Sequence, residues 1–456
     1  MFSVVQNLAL VAVGILCCLS LIWRWPGWIA FVTISAAALL DCLQIGTSGV
    51  TLGINLYVDD AAVAILLLAG LLVLLRYHRG LPGDAIPCAV LLALVALNFG
   101  RGVGAFGLKA AGNSARNLAE FTVPAAAVML LQPVFQLDAR RLARWLGWAG
   151  YALSAIAILR WAGVLSMPAQ LETSFRDVVR ALPADYAFMV GLALIAVVYL
   201  QFADRSTPWG WLTAAVFSVL TILLQHRSVW VATAAGVGWL SVRTARSSVL
   251  FWLALAAVGA GAGSVAALAF PQIVEKVELL VAANVQEAQG EKSTWAWRVQ
   301  SYQEATDRLL TSGTTDMLIG PPAGWAANSN ASFASTHIHS RYIDTLAFYG
   351  ILGFAVLLLW FGVIARRVLR PVRSAPGRHA RDHAGAPLLE ALLLSEIVYL
   401  VPYFGGILQG TVLGLVWVAA NQSHFSIATK RTMSTRYVLR RRSEAATRTY
   451  ARPTEA

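Results

Sequence analysis

The chain has 456 residues, 58% of them hydrophobic and 13% charged, with a mean hydropathy of +0.65. Soluble globular domains carry about 25% charged residues, which excludes that class, and the continuous apolar runs exclude a β-barrel, whose strands alternate over about ten residues. The net charge of +12 does not indicate nucleic acid, because much of it lies in 366–381 and 430–452 beside apolar runs, where Lys and Arg report a cytoplasmic side and attract anionic lipid.

In chain order the apolar runs cover 5–23, 28–43, 61–75, 85–97 and 118–131, then 145–159, 186–202, 210–224, 229–242 and 249–270. A polar stretch of 271–340 follows, and after it 342–364, 388–403 and 405–420. The longer runs match the length a helix needs to cross about 30 Å of hydrocarbon. The reading is an all-α polytopic membrane protein with about twelve spans. It divides into 1–270 and 341–421 in the membrane, a large loop at 271–340 and a basic tail at 422–456. The first run lacks a basic n-region and a small-residue cleavage site, so it reads as a retained span. No internal repeat is visible, and 370–387 is the nearest thing to a linker.

Short basic loops set the orientation. Arg76, His78 and Arg79, then Arg140, Arg141 and Arg144, then Arg243 and Arg246, and finally 366–381 alternate on one side, the cytoplasmic one. The other side then holds 100–117, 164–183, 226–227 and 271–340, with the N-terminus outside and the tail inside. Within the large loop, Ile273, Val277, Leu280, Val281 and Val285 form one helical stripe, and Trp295, Val299, Tyr302 and Leu309 a second. Gly320-Pro321-Pro322 and Gly324 break the chain after them. The four cysteines, Cys17, Cys18, Cys42 and Cys88, sit in or next to apolar runs and read as packing residues, not a disulfide framework.

The loop ends in STHIHSRYIDTLAFYGILG, 335–353, which places His337 and His339 at the mouth of an apolar helix beside Arg341 and Asp344. No Cys and no HExxH pattern accompanies them, so zinc is not indicated. The positive end of a helix disfavours imidazolium, and a neutral imidazole can take a proton from an alcohol. Outer-side cations are the second signal: Arg101, Lys109 and Arg116 in 100–117, Arg227 between two spans, and Arg298 in WAWRVQ. A planar guanidinium suits a diphosphate, although Arg101, Lys109 and Arg116 serve equally well as headgroup anchors. Asp41, Asp59, Asp60, Glu120, Glu390 and Glu396 lie in or beside spans without the spacing of a catalytic carboxylate pair. Walker, Rossmann and nucleophile-elbow patterns are absent.

His339-Ser340 followed by Leu346, Gly350 and Gly353 resembles a motif of the O-antigen ligase and O-antigen polymerase superfamily. Trp297-Arg298, then Ile319-Gly320 and Gly324, resembles the approach to that histidine, and His226-Arg227-Ser228 resembles the family's arginine at a span boundary. Ser340 stands where Asn is commoner, and Ile343 takes the place of the first Leu. The resemblance implies a GT-C-like arrangement of spans with a periplasmic loop in a bacterial inner membrane. It also implies metal-independent, inverting glycosyl transfer without a cofactor. The donor would be O-polysaccharide on undecaprenyl diphosphate; a ligase would use a lipid A–core hydroxyl as acceptor, a polymerase another lipid-linked repeat. His339 would then be the base and Arg227 and Arg298 the diphosphate clamp, with His337 outside the motif. A lipid-linked saccharide carrier is the reading from another class, resting on Glu390, Glu396 and Gly405-Gly406.

Overall fold

The computed structural model of the protein describes residues 20–43, 50–51, 55–77, 82–135, 137–166, 180–204, 208–244, 294–326, 338–369 and 385–421. The expected spans 5–23 (in large part) and 249–270, the stripe at 273–285, His337, most of 370–387 and the basic tail lie outside the described residues.

What is described is almost wholly helical. In order come α1 (Pro26–Cys42), α2 (Val58–Arg76), α3 (Ile86–Phe106), α4 (Leu108–Leu130), α5 (Ala139–Trp161), α6 (Ala184–Asp204), α7 (Pro208–Leu223) and α8 (Arg227–Thr244). Then follow α9 (Thr294–Thr311), α10 (Thr314–Ile319), α11 (Arg341–Leu369), α12 (Ala386–Tyr399) and α13 (Ile407–Asn421). A two-residue antiparallel ladder, β1 (Val50–Thr51) with β2 (Asn55–Leu56), bridges α1 and α2. Proline opens α1, and the Asp138 carboxylate caps α5 by accepting from the Arg141 amide at 2.7 Å.

Among the described residues five helices are long and apolar enough to cross a membrane: α2, α3 with its lead-in turn, α5, α6 and α11. α1, α7 and α13 are apolar but shorter. α6 is buried on nearly every side and forms the centre of the bundle, which its uniformly apolar sequence allows. Arg101, Lys109 and Arg116 were expected in a loop at 100–117; that segment is instead helical, as the end of α3 and the start of α4. Its start, and Asn98 just before it, are covered by the turn after α10, while Lys109 stays exposed. The Asn98 amide donates to the Ile319 carbonyl at 2.6 Å, and Arg101 donates to the Gly320 carbonyl and Asp316.

The paired charges sort by end. At one end Arg243 pairs with Glu390, Arg367 with Asp84, and the Trp417 indole N–H donates to Asp84 at 3.1 Å. Gly385 packs against Ala139 there, bringing the Arg140, Arg141 and Arg144 turn to the same end. Away from that end the starts of α6 and α8 lie near the last residues of α12.

α11 is not one straight span, as the run 342–364 led us to expect. Tyr342 and Phe361 are nineteen positions apart, about 28 Å along a straight helix, yet their ring centroids are 6.0 Å apart. Gly350 explains this: at φ 67°, ψ −171° it leaves the helical region, and the chain folds back on itself. The limb 341–349 and the limb 351–369 therefore lie side by side, with Gly353 against Tyr349 and Thr345. A side chain at Gly350 would also meet the Leu318 carbonyl oxygen at 2.5 Å and the Gly320 nitrogen at 2.7 Å, so α10 and its turn press directly on the fold-back. Both terms act in Gly350→Ala, the left-handed φ and the backbone clash, and a loss of about 1–3 kcal/mol is expected. Thermal unfolding in detergent reads this as a lowered Tm, and an unchanged Tm would count against the hairpin.

Candidate functional site

Because α11 turns back, its first residue lies inside the bundle and not at its rim. The Arg341 guanidinium sits over the Phe121 ring at 4.7 Å, and Phe121 also touches Trp360 from the returning limb. His339, two residues before α11, is held between buried Ile338 and buried Ser340. The Arg341 amide donates to the carbonyls of Leu400 and Tyr403, which fixes the start of the limb against the turn between α12 and α13.

Around the His339 imidazole the structure gathers aromatic side chains from two further elements. Trp297 of α9 meets it edge-on at 5.5 Å between centroids, and Phe404 stacks at 6.1 Å with an interplanar angle of 26°. The Tyr302 hydroxyl, one turn along α9, donates to the His339 carbonyl at 3.0 Å. Burial raises the Tyr302 phenol above its ordinary value, against the opposing pull of Arg298 and the Ser340 hydroxyl, so it remains a donor.

Arg298, next to Trp297, places its guanidinium 5.3 Å from the Tyr403 ring centroid. Tyr403 stacks on Tyr399 at 4.9 Å, and Tyr399 on Phe188 at 4.1 Å. This column runs from the cation down into α6 and orients Arg298 from below. His339 and Arg298 are thus brought together by the first turns of α9.

Arg227 reaches the same end from another side, half-buried at the start of α8. The preceding His226 is 3% exposed, and its Nε2 lies 2.9 Å from the Leu182 carbonyl oxygen. Leu182 stands just ahead of α6, whose Asp185 accepts from the Tyr399 hydroxyl of the stacked column. The remaining predicted cations do other things. Arg116 is bidentate to Asp60 at 2.8 and 3.0 Å and lies 4.6 Å over Tyr57, and Arg101 braces the 316–320 turn. Lys109 is exposed at the start of α4. Arg341 has no exposed surface, and its guanidinium is engaged by the carbonyls of Asn117, Phe404 and Gly405 and by Asp344. It holds the fold together and is not accessible to a diphosphate.

Sequence reasoning named Trp297 only through its resemblance motif and missed Tyr302, Tyr403 and Phe404 as partners of the site. Their signal was available in part: Arg298 and Tyr302 are four apart on one helix, a spacing that puts them on one face. The stripe drawn through Trp295, Val299, Tyr302 and Leu309 is rotated from the buried one, which follows Ser301, Ala305 and Leu309. Among the described residues no three His, Cys, Asp or Glu side chains come together as a metal site requires. Compared with known protein families and with curated proteins, the chain matches none.

Two measurements separate structural from accessible groups. Arg341→Met leaves buried carbonyls and Asp344 without their partner and is expected to lower stability by about 3–5 kcal/mol; Arg298→Met, at the half-exposed end of its stack, should change Tm little. Burial lowers the His226 imidazole from 6.5 to about 4, with Arg180 acting in the same direction and the Leu182 hydrogen bond opposing. Its contribution to stability is complete above pH 6.5 and is lost as the pH falls towards 4, since only the unfolded chain takes up the proton in that window. His226→Gln should flatten Tm against pH between those values, and identical profiles for the two proteins would refute the assignment.

Proposed function

We propose that this protein is a membrane glycosyltransferase of the O-antigen ligase type. It moves a polysaccharide from undecaprenyl diphosphate to a lipid A–core sugar hydroxyl, with inversion, at the periplasmic face of a bacterial inner membrane. The observation that carries the reading is that neighbouring residues of α9 reach both groups' surroundings: Trp297 meets the His339 imidazole, and Arg298 lies on Tyr403, next in the chain to the Phe404 that stacks on His339.

In this reading His339 takes the proton of the acceptor hydroxyl as the oxygen attacks the donor's anomeric carbon. The bond from that carbon to the diphosphate breaks, and the leaving diphosphate carries the electron pair away. Arg298 stabilises the charge that develops on it, assisted by Arg227. Cations fixed before the reaction act more strongly than mobile ones, because little reorganisation is needed as charge builds. The Tyr403–Tyr399–Phe188 column supplies that fixation, and Tyr302 does the same for the His339 backbone. An apolar groove of about 360 Å³ between α1, α5, α6 and α13 offers the polyprenyl tail a seat, and Tyr186 at its wall neighbours Asp185 beneath the column.

A carrier that moves the lipid-linked saccharide without bond chemistry draws on two observations of its own. One is the broken helix at Gly350, a device of transport proteins. The other is Glu396, fully buried, whose carboxylate oxygens have no hydrogen-bond partner among the described residues.

Reconstituted protein given undecaprenyl-diphosphate glycan and a lipid A–core acceptor decides between them. Glycosidic product should form with EDTA present and without nucleotide. His339→Ala should reduce turnover by about 10²–10⁴-fold, the usual range for a lost general base, while its Tm stays close to that of the parent protein. Full transfer by His339→Ala would remove the base assignment, and transbilayer movement of donor with no product would establish the carrier.

A further inference from the structure

A cavity of about 390 Å³ opens beside α9, on the far side of Tyr302 from Arg298. Its walls are the third and fourth turns of α9 with Ala305 and Arg308, the 320–325 turn with Pro321, Pro322 and Trp325, and Asp316 of α10. We infer that this cavity is a saccharide subsite: it holds a sugar of the acceptor glycan one or two units away from the sugar whose hydroxyl meets His339. The inference rests on the glycosyl-transfer reading above and deepens it.

Three observations carry it. The lining chemistry is that of a sugar site and differs from the groove between α1 and α13, which is mostly apolar and has no charged side chain in its wall. Flat apolar surfaces come from Trp325, Pro321, Pro322 and Phe106, against which the C–H faces of a pyranose pack. Planar groups able to bond adjacent hydroxyls in pairs come from Arg308 and Asp316.

The second observation is the order of the wall. Arg308 is exposed, yet its guanidinium lies 3.8 Å from the Trp325 ring centroid, and stacking of this kind fixes the plane of its N–H groups. Asp316 is tied to Arg101 at 2.6 Å, which orients its carboxylate from behind. Polar groups held in place lose less freedom on binding than mobile ones.

The third is direction. Tyr302 marks the His339 end of α9, and Leu309 of the cavity wall follows seven residues later, about 10 Å at the helical rise. That is about the length of a disaccharide. The limb 341–349 runs the same way, with His339 at its buried start and Ala347 at the cavity. A glycan whose reactive hydroxyl reaches His339 therefore has a continuous wall leading out through the cavity. The volume lies within the range of about 300–1,000 Å³ typical of small-molecule sites.

The test compares two acceptors in the reconstituted transfer assay: a lipid A–core oligosaccharide and a simple glycoside of its terminal sugar. Arg308→Ala, an exposed position, and Ala305→Phe, which fills the cavity, should each raise KM for the oligosaccharide about tenfold. Both should leave kcat, the donor KM and the KM for the simple glycoside unchanged. Equal effects on both acceptors, an effect on the donor KM, or no effect from either variant would overturn the subsite. Binding of the oligosaccharide alone, followed by tryptophan fluorescence, gives a readout independent of turnover. Arg308→Ala should weaken it about tenfold even in a His339→Ala background. If His339→Ala still transfers while this binding effect persists, the catalytic reading fails and the subsite stands; if binding is unmoved by Arg308→Ala, the subsite fails alone.

Discussion

The arrangement depends on one guanidinium. Arg341 lies in the middle of an apolar bundle, where an unpaired charge would cost several kcal/mol. It is tolerated because carbonyl oxygens of Asn117, Phe404 and Gly405 converge on it together with Asp344. Those carbonyls can converge only if α12 stops at Tyr399 and the chain through Phe404 and Gly405 stays irregular, since a continuing helix would direct its carbonyls along its own axis. The end of α12, the position of Phe404 beside His339 and the inward placement of the half-helix thus follow from satisfying one buried cation.

A second layer of order is aromatic. α9 meets the remainder of the bundle at this end through rings as much as through aliphatic packing: Trp297 on His339, and Arg298 on the Tyr403–Tyr399–Phe188 column. Stacked rings have few rotatable bonds and a large contact area, so they transmit position with little slack. The cation at the top of the column is therefore referenced to α6, the most deeply buried helix of the bundle.

Composition and run length made the apolar, helical character legible, because a long apolar segment has no better way to satisfy its own backbone than to close a helix. α9 and the breaker at Gly320 were legible for the same local reasons. The helical form of 100–117 was not, since Arg101 and Arg116 look loop-like until Asp316 and Asp60 are beside them. The hairpin of α11 was not either. TLAFYGILGFAVLLLW reads as one uninterrupted span, and only the approach of Leu318 and Gly320 shows why Gly350 must break it. The glycine spacing was visible; its geometric purpose depended on a segment thirty residues away. Arg341 and Arg298 were equivalent as letters, and burial alone told them apart.

The fold-back at Gly350 also bears on how the chain is assembled. The limb 341–349 is about 13 Å long and carries Arg341 and Asp344, and each such residue opposes entry into lipid by about 2.5–3.5 kcal/mol at mid-membrane. It cannot insert by its own hydrophobicity as the limb 351–369 can. Its acceptors at Leu400, Tyr403, Phe404 and Gly405 are synthesised some sixty residues after it. The half-helix is therefore a late arrival: it docks only once α12 and the turn beyond it are in place. The constellation around His339 thus takes its seat from the C-terminal helices of the bundle, which supply the carbonyls that hold Arg341.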